Sequence, residues 1–312
     1  MTRPARGPAG AMAAAKACFH VAGTLMLLCA APAATSAHEP LWGETPTIFG
    51  PGVFHPEIRI GTRRHGGASA PGDESSREVE QEYGLQYGIN RFVNVRLVLP
   101  AVRTDLEENV AGTIQRTQVA GLGDALLSAK YRFHLRQETG FQTSQALVVG
   151  WKVPTGEDDL RGPTGARLAP SDQPGSGRHG VEIGYAFDRE RLVDSAWTSA
   201  FYRHEFGGGF RRGDALEVDA AYGRWIVRPN VAEDLGINLA VGVHGEAMTD
   251  DRLEGDLSAG NRHEVAGVHV TPIITKGRYQ LRLGLFVPLL KGGDEQETDF
   301  RYEFRAGWEM FF

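Results

Sequence analysis

Thiols are almost missing from this chain. Of its 312 residues only Cys18 and Cys29 are cysteines, and both fall within the first 37 positions. Those positions read as a cleaved leader, so the remaining chain has no disulfide and no thiolate metal site, although its compartment is an oxidising one. Long hydrophobic runs are missing too. No stretch after the leader reaches the roughly 20 apolar residues of a spanning helix, which excludes a helical membrane protein. Basic excess is absent: 33 Lys and Arg stand against 39 Asp and Glu. Losing Arg3, Arg6 and Lys16 with the leader leaves 30 basic residues against 39 acids, a net charge of −9. That balance argues against nucleic acid as a partner. Helical periodicity is scarce, and the chain carries 40 glycines. A β-rich chain fits both.

The leader has the three parts of a secretory signal peptide. Arg3, Arg6 and Lys16 make its positive region, Cys18 to Ala31 its apolar stretch, and Thr35-Ser36-Ala37 its small-residue cleavage site. Met26-Leu27-Leu28 before Cys29 does not make a lipoprotein box. The domain reading is therefore a signal peptide over 1–37, an N-terminal segment over 38–52, and a barrel over 53–312. The 38–52 segment has two Pro-bounded turns and no strand period. It contains Leu41, Trp42, Ile48 and Phe49, and it suits either the periplasm or the lumen.

Twelve stretches then alternate with period two, as strands with two different faces do. Leu147, Val149, Trp151 and Val153 oppose Gly150 and Lys152 in one of them. Another sets Leu281, Leu283, Leu285 and Val287 against Gln280, Arg282 and Gly284. Ser195 to Phe206 is the least regular, with aromatic and polar groups on both faces. The expected fold is all-β: a transmembrane antiparallel β-barrel of about 12 strands. Outer loops are expected at Thr62–Val79, Ala101–Gly121, Pro154–His179, Gly207–Asp214, Met248–Arg262 and Leu290–Asp299, with shorter turns between them. A count of fourteen stays open if Thr113–Val119 adds a strand.

The last stretch, Asp299 to Phe312, carries Phe300, Tyr302, Phe304, Ala306, Trp308, Met310 and Phe312 on one face. A soluble sheet edge this apolar would aggregate, whereas lipid on one side and water on the other demand the pattern. Arg305, Gly307, Met310 and Phe312 resemble the terminal assembly signal of outer-membrane barrels. The implied partners are outer-membrane lipids and the barrel-assembly machinery, and the implied location is the outer membrane of a Gram-negative cell. The oligomeric state is left open.

The inward faces are rich in charge. Lumen-lining candidates are Arg96, Lys130, Arg132, Lys152, Glu182, Glu217, Asp219, His244, Glu246, Arg282, Arg301 and Arg305. Mixed signs favour ion-pair bracing for most of them, since an unpaired charge in low dielectric is costly. Two single-signed groups, Lys130–Arg132–Lys152 and Glu217–Asp219–Glu246, read instead as linings with polarity.

Gly121 to Phe133 (GLGDALLSAKYRF) with Leu147 to Gly156 (LVVGWKVPTG) resembles the outer-membrane family associated with meta-pathway phenol degradation, relatives of the long-chain fatty-acid channels. The resemblance spans about Val53 to Phe312. It implies a barrel that passes a small, often aromatic or hydrophobic, solute across the outer membrane. No cofactor is expected. Channels similar to the fatty-acid ones hold an N-terminal segment in the lumen as a hatch.

Two other readings come from different classes. AHEPLWG resembles the start of barrels associated with metal-efflux gene clusters, and a new N-terminal His38 offers an amine and an imidazole to Cu(II). A lipolytic barrel enzyme would need Ser195, Ser199 and His204 to converge, but no nucleophile motif surrounds them. The chain is expected not to be an enzyme.

Overall fold

The computed structural model describes residues 40–66, 74–110, 112–162, 165–168, 172–207, 210–231, 233–253, 256–257, 262–293 and 301–311. The expected leader, His38, Phe300 and Phe312 lie outside the described residues. Sixteen strands are assigned among them: β1 (Phe54–Gly66), β2 (Glu74–Asn90), β3 (Val93–Val110), β4 (Thr113–Leu122), β5 (Ala125–Glu138), β6 (Phe141–Val153), β7 (His179–Arg191), β8 (Asp194–Phe206), β9 (Phe210–Arg211), β10 (Ala215–Val227), β11 (Leu235–Met248), β12 (Arg252–Leu253), β13 (Asp256–Leu257), β14 (His263–Lys276), β15 (Tyr279–Gly293) and β16 (Tyr302–Met310).

Each long strand pairs antiparallel with its neighbours, and β16 closes the ring on β1, from Glu57 opposite Glu309 to Arg64 opposite Tyr302. The ring is a closed 12-stranded antiparallel barrel. Closure abolishes the free edges that an open sheet this apolar could not keep.

Alternation does the sorting. Val149, Ile183 and Val243 are more than half exposed on the outside, while Ala146, Val148 and His244, which point inward, are buried. Tyr131, Trp151 and Tyr279 are among the exposed outer aromatics. Such a surface is stable only against hydrocarbon, and the barrel is an outer-membrane one.

Two expected outer loops prove to be largely strand over their described residues. β1–β2 and β3–β4 continue outward as hairpins, to Gly66 opposite Ser75 and Val110 opposite Thr113. Beyond the bilayer both faces meet water, so these arms need no alternation, and Ile114 to Arg116 are exposed in succession. The extra strand β4 pairs with the outer half of β3, while β5 takes the inner half. β4 and β5 together are one wall strand interrupted at Gly123-Asp124, so the count stays at twelve. At the other end two-residue turns such as Thr139-Gly140 join the strands.

Candidate functional site

Residues 40–50 run through the barrel interior rather than outside it, and Pro51-Gly52 turn at the exposed end into β1. Leu41, Trp42 and Phe49 are buried, with Trp42 fully so. The wall makes room for them with glycine. A β-carbon on Gly284 of β15 would collide with the Trp42 ring, so only glycine admits the indole there. Trp42 also meets His269 at 4.8 Å between centroids, and the Arg305 guanidinium lies 5.4 Å above its ring. Gly43 turns the segment with φ +70°, and a side chain on it would strike Ser199 and Asp219. Further along, Phe49 stacks on His55 at 4.4 Å, and Phe311 closes on the same imidazole at 4.8 Å.

The segment is also held by polar contacts to five wall strands. Arg282 Nη1 donates to the Pro40 carbonyl (3.0 Å), and Arg305 Nη1 to that of Leu41 (3.1 Å). Lys130 Nζ donates to the Thr45 carbonyl (2.7 Å). The Glu44 amide donates to Ser199 Oγ (3.1 Å), and the Phe49 amide to Asn94 Oδ1 (3.2 Å). The Glu44 carboxylate lies between Arg96 Nη1 at 2.8 Å and Lys130 Nζ at 3.2 Å. Burial alone would raise this carboxyl, but Lys130, Arg96 and Arg59 more than offset it and hold it below the ordinary value.

Around the segment the wall charges pair across strands. Glu57 takes Arg96 (3.0 Å), Arg282 (2.7 Å) and Arg59. Arg282 also reaches Glu309, whose other oxygen meets His55 at 3.2 Å. Arg282, Glu57, Glu309 and His55 are all buried. Asp219, fully buried, lies between His269 Nε2 at 3.1 Å and His244 Nδ1 at 3.8 Å. Nearer the outer end, Arg203 joins Glu182 (2.8 Å) to Glu217 (2.5 Å), and Glu303 takes Arg305 (2.7 Å) and Arg63 (2.9 Å).

At the outer rim the two motifs that carried the family resemblance meet each other. Asp124, from Gly121-Leu122-Gly123-Asp124, accepts the Gly156 amide (3.0 Å), the Ser176 amide (2.9 Å) and the Ser176 hydroxyl (3.0 Å). The Ala125 amide donates to Thr155 Oγ1 at 2.9 Å. These contacts tie both ends of the 154–178 loop to the β4–β5 interruption. Buried Gln173 bonds Leu160 through both amide atoms, which holds the loop's arms together.

Several groupings expected from the sequence do not survive this geometry, although most of the named residues do point inward. Lys130 and Lys152 do not form one basic lining with Arg132. Lys130 meets Glu44, Lys152 meets Asp124 (3.2 Å) and Glu205, and Arg132 donates to the Arg91 carbonyl (2.8 Å) beside a bulge. The acidic trio likewise separates: Glu217 belongs to Arg203, Asp219 to the two histidines, and Glu246 lies 4.0 Å from His263. Arg301 precedes β16, is exposed, and donates its amide to the Arg64 carbonyl (3.2 Å). Sequence reading missed Glu44, Arg203, Asp124 and Phe311. Arg203 sat in the irregular β8 stretch, and Glu44 lay in a segment with no period to orient it.

Of the assembly-signal residues, Arg305 and Gly307 face the plug, where Leu41 packs against Gly307, and Met310 is buried at the strand end. Ser195 and Ser199 point inward, whereas His204 pairs with Asp214 (2.7 Å) on the opposite face of β8. Those three cannot converge. Among the described residues no group of three or more His, Cys, Asp or Glu is arranged to hold a metal ion.

A family model described as "Putative MetA-pathway of phenol degradation" matches residues 68–271. Among solved structures, the chain is similar to an outer membrane channel from Pseudomonas putida F1. The two share 14% identity over 89% of this chain and 100% of that one, with a TM-score of 0.66. The β domain of the Bordetella autotransporter BrkA matches at 12% identity over 82% and 98%, with a TM-score of 0.41. No curated protein sequence matches the chain.

Proposed function

The chain belongs to the family described as "Putative MetA-pathway of phenol degradation", and from that premise we propose that it is a passive outer-membrane channel for a small aromatic or hydrophobic solute. The observation that carries this reading is the way the lumen is filled. A peptide segment that leads into the start of β1 occupies it by hydrogen bonds, one ion-paired carboxylate and aromatic packing. Wall glycines such as Gly284 make the space that the segment takes up. A barrel braced only for rigidity needs no such removable filling. Withdrawal of residues 40–52 would leave a lumen lined by paired charges and by apolar side chains such as Val98, Val148 and Phe201. Paired charges bind a passing neutral solute weakly enough to let it leave.

Recognition of Arg305, Gly307 and Met310 by the assembly machinery belongs to the same proposal, as does the absence of catalysis. The lipolytic reading lacks its geometry, since His204 lies on the face of β8 opposite Ser195 and Ser199, and the copper reading rests on His38, outside the described residues. Reconstituted into liposomes, the protein should admit phenyl β-D-glucoside, a neutral aromatic too polar to cross lipid quickly, faster than protein-free vesicles do, and faster again when residues 40–52 are deleted. Equal rates for all three would refute a channel.

A further inference from the structure

Glu44 stands where a solute's carboxylate would fit. Its two oxygens face separate cations on neighbouring strands, Arg96 of β3 at 2.8 Å and Lys130 of β5 at 3.2 Å. On the side away from Asn94 the wall beside Lys130 is apolar. Lys130 is opposite Val148, Val148 opposite Gly184, and Gly184 opposite Phe201, in one unbroken rung of the barrel. Val148 and Phe201 are both buried. The Phe201 ring lies over Gly184, in the place a β-carbon would take. Two cations thus adjoin an aliphatic and aromatic shelf, which is the complement of a monocarboxylic acid with a compact apolar body.

We propose that Arg96 and Lys130 form a carboxylate-binding site, that Glu44 of the N-terminal segment occupies it when the lumen is closed, and that an apolar monocarboxylate competes with Glu44 for it. The nearest acids do not cancel the site. Glu57 is shared among Arg59, Arg96 and Arg282, and Glu182 is held by Arg203. Arg96 reaches Glu57 through Nη2 and Glu44 through Nη1, so an incoming carboxylate can replace Glu44 without disturbing Glu57. Solute binding and segment docking are then mutually exclusive, and each weakens the other by the same factor. This rests on the channel reading for its physiological meaning, but the binding site itself does not.

The test uses the full chain in detergent, with benzoate and its neutral counterpart benzyl alcohol as probes and calorimetric titration as the readout. Glu44→Gln should bind benzoate at least tenfold more tightly than the unaltered chain, with benzyl alcohol changed less than twofold. Adding Lys130→Met should abolish that gain. Should this double variant fail the heat-mobility test of a folded barrel, Glu44→Gln with Arg96→Gln replaces it. Benzoate bound no more tightly by Glu44→Gln, or still tightly bound after loss of the cation, overturns the site. Liposome entry of phenyl β-D-glucoside through the 40–52 deletion separates the two readings. Entry without the benzoate effect removes the site and leaves the channel, and the benzoate effect without entry does the reverse.

Discussion

Asp124 accepts the Gly156 amide at 3.0 Å, which joins the interrupted wall strand β4–β5 to the start of the outer loop that follows β6. The same carboxylate holds Ser176 at the loop's far end. One side chain therefore fixes both ends of a loop of about 25 residues at the barrel mouth, with Lys152 balancing its charge.

Asp124→Ala should free that loop without unfolding the barrel. Hydrogen bonds to an ionised group contribute about 2 kcal/mol each, so losing even one net bond corresponds to roughly a 30-fold rise in local opening. Limited proteolysis of the reconstituted protein should cut within residues 154–178 correspondingly faster, while the heat-modified gel mobility of the folded barrel stays unchanged. Unchanged cleavage would show that the rim is held by other contacts.

Arg282→Met should destabilise the barrel itself. Arg282 is fully buried and bonds Glu57 and Glu309. Its truncation takes the guanidinium from buried Glu309, leaving it His55 and Gln280, whereas Glu57 keeps Arg59 and Arg96. Breaking one side of a buried pair costs about 3–5 kcal/mol. The denaturant midpoint in detergent should fall, and a further Glu309→Gln should recover part of the loss. A midpoint unchanged by Arg282→Met would remove this network from the sources of stability.

Gly284→Val should open the lumen. A β-branched residue suits the strand, but its side chain takes the place of the Trp42 ring. The fold should persist and solute entry should rise toward that of the 40–52 deletion. Entry at the unaltered rate would mean that Trp42 docking is not what closes the barrel.

Closure should also depend on pH through Glu44. Its carboxyl is held below the ordinary value by Lys130, Arg96 and Arg59 against the opposing effect of burial. A lowered value in the docked state means that docking gains stability above the ordinary carboxylate pKa of about 4.3 and loses it as pH falls through the lowered one. Solute entry should therefore be constant from neutral pH to mildly acidic conditions and rise only below about pH 4. Glu44→Gln should remove this step. A step that survives Glu44→Gln would belong to another group.

The twelve strands, their inward phase and the pairing of the last strand with the first were legible because each residue such as Val149 or Ile183 must face lipid. That requirement writes period two into the sequence. Arms such as Thr113 to Arg116 were not legible as strand, since both of their faces meet water and nothing enforces alternation. Partners inside the lumen were not legible either. Lys130 and Lys152 look alike in sequence, yet one serves Glu44 of the plug and the other Asp124 of the rim. Barrel closure decides such pairs, and it brings His55 to Glu309 across 254 positions of sequence. Glu44 was hidden for a further reason. An irregular segment has no period, and its side chains are oriented only by the glycines and carbonyl contacts of the wall around it.

Residues 40–52 close a lumen that, on the channel reading, conducts once they leave. Planar-bilayer recording of the full chain beside the 40–52 deletion puts that to the sharpest trial. The deletion should give discrete, several-fold larger conductance steps, with folded yield unchanged. Steps of equal size from two equally well-folded proteins would show that the segment closes nothing.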